Sequence, residues 1–186
     1  MLDKEQLAEV IRDCRHYDRG AQNRLYRAFH AWATAVCQRY TSDPEAAREC
    51  VQDAFFKVFT KIDKYQGDLS FEAWIKKILI NTCIDRYRAR LREKDTVVEY
   101  TELPDTALVP DILVNADAEH LLYLVQQLPP AYRATFNLFA VEGYDYREVA
   151  DMLGVSVGAV KSNLSKARVR LKKLLLDYQS RNVYER

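Results

Sequence analysis

Turn-forming residues are scarce in this chain, with five glycines and five prolines among 186 residues. A sheet-rich fold with many tight turns needs more of both, so the long unpunctuated polar–apolar runs point to an all-α protein. No stretch is apolar for long enough to span a bilayer and no secretory leader is seen, so direct membrane insertion is not expected. The four cysteines, Cys14, Cys37, Cys50 and Cys83, include no close pair such as C-x-x-C. Neither a disulfide framework nor a paired zinc motif is therefore indicated, and the expectation is a reducing cytoplasm with cysteines acting as small buried hydrophobes. Cys14 and His16 would make half a metal site, but no second pair lies near them, so no metal or cofactor is expected. A nucleophile elbow and a Gly-rich phosphate loop are missing too. Asp53, Asp85 and the histidines His16, His30 and His120 are accordingly not read as acid–base groups, and no catalytic residue is assigned.

What is present is an uneven distribution of charge. The formal net charge is only +1. Residues 61–94 nevertheless carry nine basic against five acidic residues, and residues 120–186 ten against six. Between them, residues 95–119 hold seven Asp or Glu and no Lys or Arg. Two basic blocks parted by an acidic one suggest two polyanion-facing surfaces with a connector that avoids polyanions. Hydrophobic content of 48% supports a packed core.

Helical spacing organises the chain into residues 1–94, a linker at 95–115 that contains Pro104 and Pro110, and a second domain at 116–186. In the first domain, Leu7, Val10 and Ile11 open one helix, and Leu25, Phe29, Trp32, Ala33 and Val36 mark another. Asp43 followed by Pro44 and Glu45 starts a third. "YQGDLS" breaks the pattern before it resumes at Phe71. In the second domain, Pro129 and Pro130 end one helix and begin the next. The following stretch, "DYREVADMLGVSVGAVKSNLSKARVRLKKLL", reads as a helix-turn-helix. Asp145 and Glu148 form a capping box, Gly154 takes the left-handed position that ends the first helix, and Ser156 caps the second. Ala150 is small where the helices cross.

The second of these helices has an apolar stripe of Val157, Val160, Leu164, Ala167, Leu171 and Leu174. From Gly154 to Leu175 it has six Lys or Arg and no acidic residue. One reading is a solvated amphipathic helix packed on a bundle. Turn chemistry, the small crossing residue and the one-signed face favour a helix placed in the DNA major groove. Its exposed side is expected to offer Lys161, Ser162, Asn163, Ser165, Lys166 and Arg168.

The other basic block, "FEAWIKKILINTCIDRYRARLREK", carries Lys76, Lys77, Arg86 and Arg88, with the aromatic residues Tyr65, Phe71, Trp74 and Tyr87 in or beside it. Rings that stack bases and cations that hold the backbone suit single-stranded nucleic acid. Trp74, flanked by Ile75 and Ile78, is expected in the core and Tyr65 nearer the surface. Asn81, in an apolar stretch, is either a hydrogen bond between helices or a base reader.

Three segments in series, "VQDAFFKVF", "GDLSFEAWIKKILINTCIDRYR" and "LPPAYRATFNLFAVEGYDYREVADMLGVSVGAVKSNLSKAR", resemble bacterial RNA polymerase sigma factors of the extracytoplasmic-function group. The likeness spans roughly residues 10–94 and 116–176, and implies a transcription initiation factor that brings core polymerase to a promoter and melts it. It implies that Gln52, Asp53 and Phe56 dock on the clamp helices of the beta-prime subunit. Tyr65, Asn81 and the loop Gln66, Gly67, Asp68, Leu69 and Ser70 would form the pocket for a base flipped from the minus-ten element. Lys76, Lys77, Arg86 and Arg88 would hold DNA near that pocket. Ser156, Lys161, Ser162, Asn163, Ser165, Lys166 and Arg168 would meet the minus-thirty-five element, and the surface around them the beta flap. An anti-sigma factor is the further partner implied. Family members often have Thr at Ala159 and Arg at Asn163 and Lys166; Lys lacks the bidentate fork that Arg presents to guanine. A one-component helix-turn-helix regulator is the alternative, and the basic, aromatic-flanked block at 61–94 counts against it.

Overall fold

The computed structural model describes residues 2–93 and 118–184, and all regular structure in them is helical. The expected linker at 95–115 lies outside the described residues. The chain divides into two compact units, Met1–Arg86 and Tyr87–Arg186.

Unit 1 is built from α1 (Lys4–Arg15), α2 (Arg19–Gln38), α3 (Pro44–Lys61) and most of α4 (Phe71–Glu93), with a short 3₁₀ turn at Ile62–Lys64. Each helix starts at a side-chain cap that satisfies a backbone N–H otherwise left without a partner. Asp3 accepts from Gln6 N at 2.8 Å, Asp18 from Ala21 N at 2.6 Å, Asp43 from Ala46 N at 2.7 Å and Ser70 from Ala73 N at 3.2 Å. The turn between α1 and α2 places the exposed Tyr17 in a left-handed conformation with φ 60°. Val10, Leu25, Val36, Val51, Phe55, Val58, Ile75 and Leu79 are buried and form the core. Aromatic edges lock the bundle, with Phe29 meeting Phe71 at 5.9 Å and Tyr26 meeting Phe55 at 4.8 Å.

All four cysteines are buried and reduced. Three of them, Cys37 of α2, Cys50 of α3 and Cys83 of α4, come from different helices. Side-chain hydrogen bonds with Cys37 and Cys50, and then burial, push the Cys83 thiol well above its ordinary range.

Unit 2 contains α5 (Ala118–Gln126), α6 (Pro130–Phe136), α7 (Tyr146–Leu153) and α8 (Val157–Tyr184). A π-helical turn, Asn137–Val141, continues α6. Its core joins Leu124, Val125 and Leu128 to Phe136 and to Leu164, Ala167, Leu171 and Leu175 of α8. Full burial of one such leucine contributes about 1.5–3 kcal/mol. The apolar stripe of α8 thus packs as its spacing requires except at its two ends, and at the far end Leu174 is only partly buried while Leu175 takes the core position. Val157, expected to open the stripe, is the first helical residue and is exposed at 37%, so the buried stripe begins at Val160.

Arg133 of α6 is buried, and its guanidinium donates to the carbonyl oxygens of Gln126 at 2.7 Å and Leu128 at 2.8 Å. It closes the carbonyl end of α5, where the proline pair prevents the chain from continuing the helix.

Candidate nucleic-acid and protein interfaces

The helix-turn-helix forms as its capping signals dictate. Asp145 Oδ1 accepts from the N–H groups of Arg147 at 2.7 Å and Glu148 at 2.9 Å, and Glu148 returns an oxygen to Asp145 N at 2.8 Å. Gly154 ends α7 with φ 68°, a conformation that costs glycine nothing and an L side chain about 1–2 kcal/mol. Ser156 then accepts from Ala159 N at 3.1 Å and starts α8. Ala150, Val160 and Leu153 are buried where the two helices meet.

Around α8, the expected readers fall into two groups. Ser156 and Lys161 are exposed, and Lys166 and Arg168 are half-buried. Ser162, Asn163 and Ser165, expected on the exposed side, are instead buried at 8%, 4% and 3% exposure. Apolar spacing marks only the stripe that faces the core, and says nothing of what covers the short polar residues beside it. A serine hydroxyl is close enough to the backbone to be covered and still bonded, and both serines are engaged. The four-carbon stem of Lys161 carries its charge clear. That charge lies 5.5 Å from the centre of the Tyr146 ring, which itself stacks on Phe139 at 4.6 Å. Neither aromatic stands out in the sequence, although Tyr146 directly follows the cap residue Asp145.

In unit 1, Gln52, Asp53 and Phe56 of α3 are exposed, and Phe56 keeps 70% of its surface in water. An aromatic ring left this open on a helix is a natural anchor for a partner protein. Asp53 does not stand alone. Arg86 of α4 donates to Asp53 at 2.5 Å and to Glu49, one turn earlier on α3. Beside them, Lys57 donates to Asp85 at 3.1 Å. Burial works against the Arg86 charge, but the hydrogen bond to Asp53 and the neighbouring negative groups outweigh it and raise its pKa. Arg86, expected to hold DNA, is therefore committed to carboxylates between two helices. The charge run suggested a free cation because the acids that pair it lie over thirty positions away.

The loop after the 3₁₀ turn is held at both ends. The Tyr65 carbonyl accepts from Arg15 of α1 at 2.6 Å, and the Tyr65 hydroxyl donates to the Leu69 carbonyl at 2.9 Å. Its ring lies 5.0 Å from Phe71 and 5.5 Å from Trp74. Tyr65 and Trp74 are half-buried, so Trp74 is less enclosed than expected of a core residue, while Phe71 is fully enclosed. Gln66, Gly67, Asp68, Leu69 and Ser70 are exposed, with Gly67 at φ 89°. Lys76 and Arg88 are half-buried, and Lys77 and Asn81, one turn apart, are exposed. Exposure removes the reading of Asn81 as a buried link between helices.

Two family models match the chain in order: Sigma-70 region 2 over residues 25–93 and Sigma-70, region 4 over residues 118–171. Among curated proteins, the chain is 30% identical to the RNA polymerase sigma-E factor of Streptomyces avermitilis, covering 74% of this chain and 75% of that one. It is 29% identical to the ECF RNA polymerase sigma factor SigM of Mycobacterium tuberculosis, over 85% of this chain and 79% of that one. With the RNA polymerase sigma-H factor of Pseudomonas aeruginosa it shares 26% identity over 94% of this chain and 96% of that one.

Proposed function

The chain belongs to the extracytoplasmic-function group of RNA polymerase sigma factors, and from that membership we propose how its two units divide the work of transcription initiation. The observation that carries the reading is the order of parts. A region-2 match lies over the aromatic and basic unit, and a region-4 match over a helix-turn-helix whose second helix has no acidic residue from Gly154 to Leu175.

Unit 1 binds core polymerase through the α3 face around Phe56, Gln52 and Asp53. Its loop at 66–70, bonded to the Tyr65 hydroxyl, receives with Lys77 and Asn81 of α4 a base extruded from the minus-ten element. Unstacking a base costs a few kcal/mol, and contacts in a formed pocket offset that cost. A loop pinned by Arg15 and closed by the Tyr65 hydroxyl is ordered before DNA arrives, which lowers the entropy lost on binding. Unit 2 meets the minus-thirty-five element through Lys161, Lys166 and Arg168, with Ser156 at the helix start. Arg86 is left out of this assignment because its guanidinium is paired. Among the described residues, no helix is long and apolar enough to cross a membrane.

The deciding experiment adds the purified chain to core polymerase and sequences run-off transcripts from a genomic library. A defined set of start sites that vanishes without the chain is expected. Tight, sequence-specific duplex binding by the chain alone, with no change in polymerase start sites, would instead identify a one-component regulator.

A further inference from the structure

Lys161 is the most exposed cation at the start of the recognition helix, yet its ammonium is not left to wander. The nitrogen lies 5.5 Å from the Tyr146 ring centre, inside the range of roughly 6 Å over which a ring face attracts a cation. Tyr146 is the first residue of α7, inside the Asp145–Glu148 capping box and directly after the cap residue. Its ring is nearly parallel to that of Phe139, at 4.6 Å and 22°, and both rings pack against the core of the unit. The line of contacts therefore runs from the core through Phe139 and Tyr146 to Lys161.

A lysine has one of the most mobile side chains, and fixing it on a phosphate normally forfeits much of its rotamer freedom. A ring already holding the ammonium near the groove-facing surface removes part of that loss before DNA binds. The ring face also suits a cation where an aliphatic side chain of similar bulk would not.

We propose that Tyr146 is a positioning residue for DNA binding: stacked on Phe139, it presets the Lys161 ammonium of the recognition helix. The proposal rests on the reading of α8 as the DNA-facing helix. Tyr146 acts through Lys161.

The test is a double-mutant cycle on the polymerase holoenzyme, measuring promoter affinity across a salt series for the unsubstituted chain, Tyr146→Leu, Tyr146→Phe, Lys161→Ala and Tyr146→Leu with Lys161→Ala. Tyr146→Leu should weaken binding about two- to fivefold while keeping the original salt slope, because the charge remains. Tyr146→Phe, which keeps the ring, should restore affinity. Lys161→Ala should reduce the slope by about one charge, and Tyr146→Leu should cost nothing more in that background. In the free chain, NMR should show the Lys161 side-chain protons shifted upfield by the ring and returned to ordinary positions by Tyr146→Leu. Equal losses from Tyr146→Leu in both backgrounds, or unshifted Lys161 protons in the unsubstituted chain, would overturn the proposal. A general loss of stability would act equally in both backgrounds and count as that first result. If the unsubstituted holoenzyme shows no promoter preference, the DNA-facing reading fails and the proposal with it, a result recognisable because it precedes any substitution.

Discussion

Arg86 sits between Glu49 and Asp53, and the partial exposure of all three side chains limits what the pairs contribute. Exposed pairs each contribute a few tenths to 1 kcal/mol, so Arg86→Met, which keeps the packing stem, should cost about 0.5–1.5 kcal/mol by urea denaturation. The same variant should leave the salt slope of holoenzyme–promoter binding unchanged. A slope reduced by one charge would return Arg86 to the DNA surface. Cys14 makes a second prediction. Its thiol is raised from 9.0 to about 11, first by burial and then by the Asp13 and Asp18 carboxylates, with Arg24 opposing. The folded thiol keeps its proton where the unfolded one loses it, so the folded state binds more protons between those values. Its contribution to stability is complete below pH 9.0 and disappears as pH rises towards about 11. Cys14→Ala should flatten, though not abolish, the alkaline fall in unfolding free energy, because Cys83 is raised too.

At the scale of elements, Gly154 sets the angle between α7 and α8 with φ 68°. Gly154→Ala should cost about 1–2 kcal/mol and weaken promoter binding, since strain at this turn displaces the start of the recognition helix. Thermal unfolding and holoenzyme affinity measured together check it; a variant of unchanged stability would show that the turn tolerates a side chain. The legible parts of the sequence are those fixed by neighbours within four positions. Asp43 with Pro44, Asp145 with Glu148, Gly154 and Ser156 each act on backbone groups two to four residues away, and each stands where local chemistry places it. The helix break at 65–70 was readable for the same reason. The partners of Arg86, the ring beneath Lys161 and the cover over Ser162, Asn163 and Ser165 depend on residues brought close only by folding. Spacing along one helix contains no record of them. Tyr146 left half a signal, an aromatic at the start of a helix preceding a basic one, but only the packing with Phe139 aims its ring at the lysine.

For the whole molecule, charge is segregated: seven acidic and no basic residues at 95–119 lie between blocks that are each net positive. A promoter-selecting factor has to reject the far larger supply of ordinary duplex, and non-specific binding is almost entirely electrostatic. Each acidic charge tethered between the basic units subtracts from the attraction that the free chain feels towards any DNA. Replacing Glu99, Glu102, Asp105 and Asp111 by their amides removes four negative charges and shifts the net charge from +1 to about +5. The free variant should bind random duplex severalfold more tightly at low salt, the gain shrinking towards nothing as screening shortens the range of the field. Fluorescence anisotropy across a salt series measures this directly. A gain that persisted at high salt would mean that the substitutions had exposed a binding surface rather than lifted a repulsion, and unchanged affinity at every salt would leave the acidic run no part in discrimination against DNA.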